Sequence, residues 1–289
     1  MSILFLGIPG GRHDGPRLSD TIITVHYDLA ANHVTIISVP RDIWSDALRD
    51  KINSAYAYGK EKKITGGTTL AKAETSTIVG FPIQYGAVLN FDQFKDLIDT
   101  LGGINVTVVN GFTDHDYPIE GKENDLCGGD PDYRCRYKTV SFTAGPTIMN
   151  GTNALEFVRS RHAIGEEGND FARGKRQELI LGSVAEAIAK KLITFDLKSI
   201  ENTYIALDKS IERDITNQEV AELILNVVRR GKPTVSTLSF SQDLFIVPDY
   251  SLYEGKYVLV PVNGDYSDVH SFIRKGMQQK ETMMKPQKE

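Results

Sequence analysis

The chain has 289 residues, with 33 Lys and Arg against 38 Asp and Glu, a formal net charge of −5, and 40% hydrophobic, 25% charged and 9% aromatic residues. That is a globular profile with enough apolar material for a sizeable core. It excludes a non-specific nucleic-acid binder, which needs a broad basic surface, and no run of about eighteen apolar residues reads as a bilayer span.

Met1 is followed at once by the apolar run SILFLG, whose residues 3–7 read as a buried strand. Domains rarely open inside a core strand, so an upstream segment such as a membrane anchor is expected. TIITVHY (21–27) and VTIISVP (34–40) are two further strands, joined by a polar connection of hairpin length. Their nearly continuous β-branched residues predict a sheet covered on both faces. TTLAKAETSTIVG (68–80) sets Leu70, Ala73, Thr77 and Ile78 on one side of a helix. FDQFKDLIDTLGG (91–103) does the same with Phe94, Leu97, Ile98 and Leu101, then ends on a glycine pair suited to a C-cap. INVTVV (104–109) is another strand.

Residues 110–147 lack clear periodicity and read as a long excursion from the sheet. They hold Cys127 and Cys135, the chain's two cysteines, in the turn-rich CGGDPDYRC. A disulfide there closes a short loop and places the domain outside the cytosol. Two free thiols are the alternative; two ligands alone make a poor zinc site, and we favour the bridge. NGTNALEFVRSR (150–161) is helical, and RGKRQELILGSVAEAIAKKL (173–192) is the longest helix, with Leu179, Ile180, Val184 and Ile188 at the 3.6 period. Helices near 196–208 and 217–230 alternate with short strands at 234–240 and 257–261, and a polar, disordered tail is expected from about 276. The reading is one α/β domain over 1–275 with helices on both sides of a mixed sheet.

VRSRHAIGEEGNDFARGKRQ (158–177) crowds Arg159, Arg161, Arg173, Lys175 and Arg176 into one stretch of an acidic chain. Arginine is suited to planar, bidentate contact with phosphate or carboxylate. With Asn169 or Asp170 as N-cap of the long helix, Asp170, Arg173 and Gln177 share one face at spacings of three and four. The helix N-terminus adds N–H donors and partial positive charge, and Arg159 and Arg161 can approach the same point across HAIGEEGN. Lys175 points away from that face. The alternative is a salt-bridged surface in which these cations pair with Glu166, Glu167, Asp170 and Glu178; on this segment alone the two readings stand level.

The amino-terminal half repeats the theme. GPRLSDTI puts Arg17 and Asp20 where a loop enters a strand, and SVPRDIW puts Arg41 and Asp42 where the next one ends. Carboxylates beside a phosphate pocket are unfavourable unless a cation bridges them, which Mg²⁺ does with one or two carboxylates plus phosphate oxygens. The plainer reading is that Asp20 and Asp42 cap turns and pair with Arg17 and Arg41.

SDTIITV, ISVPRD, KINSAYAYG, FDQFKDLIDTLGGINV, MNGTNALEFVRSRH and NDFARGKRQELI, in that order over roughly residues 3–190, resemble the LytR-CpsA-Psr family of cell-envelope proteins. The resemblance implies a three-layer α/β/α sandwich on the outer face of the bacterial cytoplasmic membrane, held by an N-terminal single-pass anchor. It implies a hydrophobic tunnel for a polyprenyl chain and a Mg²⁺-assisted phosphotransferase moving a glycopolymer from a polyprenyl diphosphate carrier to a peptidoglycan acceptor. By position it assigns Arg17, Arg41, Arg159, Arg161, Arg173 and Gln177 to the diphosphate, Asp20 to the metal, and Asp170 to activation of the acceptor hydroxyl, with Arg161 and Arg173 catalytic beside it. The family's usual Gly-x-Asp after the first strand is replaced here by GIPGG, with Pro9 at the aspartate position. Asp14 is the candidate substitute ligand. Two further readings use the same arginines: a polyprenyl-phosphate binding module without catalysis, and a diphosphatase in which water replaces the acceptor.

Overall fold

The structure, a computed structural model, describes residues 1–11, 15–193, 211–231 and 233–284. In chain order the strands are β1 (Ser2–Ile8), β2 (Thr21–Asp28), β3 (His33–Ser38), β4 (Trp44–Ser45), β5 (Asp50–Lys51), β6 (Tyr85–Asn90), β7 (Ile104–Val108), β8 (Phe112–Pro118), β9 (Tyr137–Phe142), β10 (Gly145–Met149), β11 (Glu212–Arg213), β12 (Thr234–Ser239), β13 (Phe245–Ile246) and β14 (Val260–Pro261). The helices are α1 (Ala55–Lys62), α2 (Gly66–Val79), α3 (Phe91–Thr100), α4 (Gly151–Arg159), α5 (Asp170–Ile193), α6 (Asn217–Arg230) and α7 (Ser267–Met284). The chain forms two compact units, one of residues Met1–Ile8, Arg17–Leu89 and Glu212–Glu289, the other of Pro9–Pro16 and Asn90–Ile211.

The first unit is built on a six-stranded mixed sheet of order β11-β6-β1-β2-β3-β12. β3 pairs antiparallel with β2, as the hairpin-length connection predicts, β1 pairs antiparallel with the other edge of β2, and β12 joins β3 in parallel. A buried histidine secures that last pairing. His33 bonds Thr234 Oγ1 through Nδ1 at 2.7 Å and Ser236 Oγ through Nε2 at 2.8 Å, so neither ring nitrogen is left unsatisfied in the interior. Leu4, Leu6, Ile22 and Ile37 of the strands pack with Ala71, Ile78 and Val79 of α2 and with Val269 and Ile273 of α7. Each such side chain, taken fully out of water, contributes about 1.5–3 kcal/mol.

The second unit packs α3, α4 and α5 around β7 and β10, which pair antiparallel. Its core joins Ile98, Ile104, Val106, Met149, Phe157, Ile180 and Val184. Asn90 and Gln93 form a capping box at the start of α3, and the Asn150 side chain accepts from Asn153 N–H at 2.9 Å at the start of α4.

The α/β class, the mixed sheet and the helices at 68–80, 91–103 and 173–192 match the sequence reading. Several features differ from it. Residues 110–147 are not an irregular excursion: β8 and β9 pair antiparallel within them. α1 and β6 lie where no element is expected. α7 runs on to Met284, so the stretch from 276 begins as helix rather than as a disordered tail. The helix expected near 196–208 lies outside the described residues. Among the described residues, no helix is long and apolar enough to cross a membrane.

Candidate functional site

In the first unit, Ile23 of β2 lies opposite Ser38 of β3, so the turn entering β2 and the turn leaving β3 occupy one end of the sheet. Asp20 sits on the first turn and Arg41 on the second. Arg41 Nη1 donates to Asp20 Oδ1, and Arg41 Nε lies 3.6 Å from Asp42 Oδ2. Lys51 Nζ donates to the other Asp42 oxygen at 2.6 Å. The sequence KINS explains how the turns stay together. Ile52 N–H donates to Ile43 O at 2.7 Å and Asn53 N–H to Arg41 O at 3.3 Å, while Asn53 O accepts from Ser19 N–H at 2.9 Å. The Asn53 backbone thus ties the Asp20 turn to the Arg41 turn, a positioning role that the side-chain reading did not contain.

Asp20 therefore partners Arg41 and not Arg17. Arg17 is exposed and has no ion pair among the described residues. Its charge reaches the buried Tyr56 phenol. Burial and the hydrogen bond to Glu212, at 2.9 Å, hold that phenol above its ordinary range, and Arg17 offsets part of the effect.

Of the two carboxylates expected to hold a metal, Asp20 lies among the described residues. Asp14 lies outside the described residues. The Asp20 side chain is 35% exposed, beside Arg41. Among the described residues, one group of three or more His, Cys, Asp or Glu has its ligand atoms close enough to hold an ion: Asp125, Cys127 and Cys135. The two sulfurs are joined to each other in a disulfide, which removes them as ligands. Asp20 Oδ1 already accepts from Arg41, so a Mg²⁺ there would be held through few protein oxygens plus water and phosphate, not by an all-protein cage.

In the second unit, α4 ends at Arg159 and the chain turns through Ser160, Arg161 and His162 towards α5. The Arg159 guanidinium lies 4.2 Å from the ring centroid of Phe91 and 5.6 Å from that of Tyr117, a cation–π arrangement. It pairs with no carboxylate among the described residues. Glu156, the neighbour one turn back, is taken by Lys138 at 2.6 Å. Burial pushes the Tyr117 phenol up to about 12, against the pull of the Arg159 charge.

The turn after Arg159 is held from beneath by Asp114, which is 0% exposed. Its Oδ2 accepts from Ser160 Oγ at 2.5 Å and from the N–H groups of Arg161 and His162, both at 3.1 Å. Burial alone would raise this carboxyl, but those donors and the Asp116 N–H outweigh it and hold the group below the usual carboxylate range. Arg161 leaves this turn with an exposed side chain.

Asn169 caps α5, its Oδ1 accepting from Ala172 N–H at 2.8 Å. Asp170 opens the helix, and its side chain lies outside the described residues. Arg173 is 7% exposed, Gln177 follows one turn on and is half-buried, and Lys175 is exposed. Arg176 follows the salt-bridge reading. It is 2% exposed and pairs with Glu167 at 2.6 Å. Its remaining donors reach the carbonyls of Phe157 at 3.0 Å, Glu167 at 2.9 Å and Ser160 at 2.7 Å.

The profile of the LytR_cpsA_psr family matches residues 1–271. A polyisoprenyl-teichoic acid–peptidoglycan teichoic acid transferase TagU of Bacillus cereus is 27% identical over 231 residues, 78% of this chain and 64% of that protein. The protein of the same name in Bacillus subtilis is 27% identical over 187 residues, 63% of this chain and 50% of that one. The chain thus spans less than two thirds of the length of these curated relatives. Among solved structures, TagV of B. subtilis superposes with a TM-score of 0.66 at 24% identity, covering 96% of this chain and 97% of that one. TagT bound to LI-WTA gives 0.62 at 19% identity, over 96% and 90%. These structures share the α/β fold of this chain.

Proposed function

The chain belongs to the LytR_cpsA_psr family, and we propose that it is a phosphotransferase moving a glycopolymer from a polyprenyl diphosphate carrier onto a cell-wall acceptor such as a peptidoglycan hydroxyl. The observation that carries this reading is Arg159, seated against two aromatic rings with no carboxylate partner among the described residues. An arginine that only stabilised the surface would take Glu156; this one is held ready for an anion brought from outside. The names of the TagU relatives and the ligand of the TagT structure support teichoic-acid-like glycans as the cargo.

In the proposed reaction the acceptor hydroxyl oxygen attacks the phosphorus attached to sugar. The new P–O bond forms as the bridging P–O bond of the diphosphate breaks, and polyprenyl monophosphate leaves. The hydroxyl proton passes to Asp170 as general base, a role of roughly 10²–10⁴-fold. Arg159, Arg161, Arg173 and Gln177 bind and orient the phosphates, with Arg161 and Arg173 opposing the charge that builds on the transferring and leaving oxygens, where most catalysis of phosphoryl transfer resides. Diphosphate-binding roles are proposed for Arg17 and Arg41 as well. Mg²⁺ held by Asp20, with Asp14, would neutralise phosphate charge. The disulfide between Cys127 and Cys135 supports a site of action outside the cytosol; attachment to the outer face of the cytoplasmic membrane by a single span is part of the same proposal.

The test combines the chain with a synthetic polyprenyl diphosphate-linked oligosaccharide and purified peptidoglycan, and measures glycan fixed to the wall polymer. Arg161→Ala and Arg173→Ala abolish transfer; wild-type turnover in both would end the assignment. Asp170→Asn binds the donor but does not turn over, which separates an enzyme from a binding module. Release of lipid monophosphate with no acceptor present reveals the diphosphatase reaction.

A further inference from the structure

We propose that a bulge in β8 is the device that positions Arg159 and Arg161, acting through Tyr117 and Asp114. β8 pairs antiparallel with β9, Asp114 opposite Val140 and Tyr117 opposite Lys138. Three steps along β8 therefore match two along β9, which leaves one extra residue in β8. On a regular strand, positions three apart face opposite sides. Here the extra residue restores parity. Asp114 and Tyr117 are both buried, at 0% and 3% exposure, while His115 and Asp116 between them are exposed.

Asp114 closes the bulge itself, its Oδ1 accepting from Asp116 N–H at 3.0 Å. Its other oxygen gathers the Ser160 hydroxyl and the N–H groups of Arg161 and His162. The residue that shapes the bulge thus also fixes the backbone from which the Arg161 side chain departs. Tyr117, re-aimed by the same irregularity, stands beside Arg159 at 5.6 Å. Lys138, its partner across the ladder, lies 5.5 Å from the same ring and holds Glu156 away from Arg159. One strand irregularity therefore sets the backbone under one arginine and the aromatic wall and charge environment of the other. Asp114 and Tyr117 are positioning residues: they act through the arginines.

This inference rests on the reading that Arg159 and Arg161 bind a prenyl diphosphate, and double-mutant cycles separate the two. Geranylgeranyl diphosphate is the probe, its dissociation constant is measured by calorimetry, and each variant's thermal midpoint is recorded alongside. Asp114→Asn turns an amide donor toward groups that are themselves donors, and weakens binding about 10-fold. Combined with Arg161→Ala it adds nothing to the loss that Arg161→Ala alone produces. Tyr117→Phe keeps the affinity and Tyr117→Leu loses it, and both are silent in an Arg159→Ala background. Multiplying effects in either cycle would mean that Asp114 or Tyr117 affects the probe independently of its arginine, and an unchanged dissociation constant with a lowered thermal midpoint would mean a role in stability only; either result overturns the proposal. Should Asp114→Asn not fold, Ser160→Ala removes one of the donors and is judged by the same criterion. If Arg159→Ala and Arg161→Ala both bind the probe as the wild type does, the functional reading itself fails and takes this inference with it.

Discussion

Arg176 Nε donates to the Phe157 carbonyl at 3.0 Å, and the same guanidinium reaches Ser160 O at 2.7 Å. An arginine of α5 thereby satisfies carbonyls at the end of α4 that have no partner inside their own helix. Because the group is 2% exposed and paired with Glu167, its removal leaves both the carboxylate and the carbonyls uncompensated. Arg176→Ala is expected to cost about 3 kcal/mol or more, read from a denaturant titration. Arg176→Lys recovers little of it, since one ammonium cannot reproduce a planar fork that serves three carbonyls and a carboxylate.

The Asp114 carboxyl gives a pH dependence with a definite sign. Its folded-state pKa lies below the unfolded value, so the unfolded chain binds the proton first. The stabilisation is fully present above the unfolded value of about 4 and is lost as pH falls through the folded one. Unfolding free energy measured from pH 7 down to pH 2 should therefore fall in the acid limb, and Asp114→Asn should show a shallower fall there. An unchanged slope would remove this carboxylate from the acid limb.

Two helical glycines make a paired prediction. A Cβ on Gly59 of α1 would sit 2.3 Å from the Gly66 carbonyl oxygen, so Gly59→Ala forces α1 and α2 apart. A loss of about 1–3 kcal/mol is expected. Gly182 of α5 has nothing within 4 Å of the same virtual atom. Gly182→Ala should stabilise by about 0.5–1 kcal/mol, because an interior helical glycine costs entropy and nothing opposes the methyl. Thermal midpoints that move the same way in both variants would contradict this.

The Cys127–Cys135 bridge spans a sequence separation of 8. Closing so short a loop is worth about 2.5 kcal/mol by chain entropy. Replacing both cysteines by serine should free the 119–136 connection, seen as faster amide exchange there, while exchange in β7 and β10 stays as in the wild type.

Metal dependence can be assigned by titration. Asp20→Asn should raise the Mg²⁺ concentration needed for half-maximal transfer, and Asp14→Ala should do so as well. A Mg²⁺ titration of Asp14→Ala that overlays the wild type would return the role to Asp20 alone.

The sheet strands β1–β3 and the helices α2, α3 and α5 are legible in the sequence because their apolar residues keep one period over many positions. α1 is not. AYAYGKEK is short, carries a glycine, and gains its stability from close approach to α2 rather than from an amphipathic face. β8 hides for a second reason: FTDHDYP loses its alternation at the bulge, and its buried aspartate looks polar until its four donors are seen. The arginines proposed for the site stand out in the sequence by type and spacing. What distinguishes Arg159 from Arg176 does not, because their environments come from Phe91, Tyr117, Phe157 and Glu167, at distances along the chain that no local pattern encodes.

The pairing of β12 with β3 sets a condition on biosynthesis. His33 meets Thr234 only across 201 positions of chain, so a polypeptide delivered amino end first keeps the outer margin of β3 uncovered for most of its emergence. Its backbone groups at Val34 and Ile36 are, in that interval, a template for any passing strand. A chain interrupted ahead of Thr234 keeps that template open for good, which favours self-association.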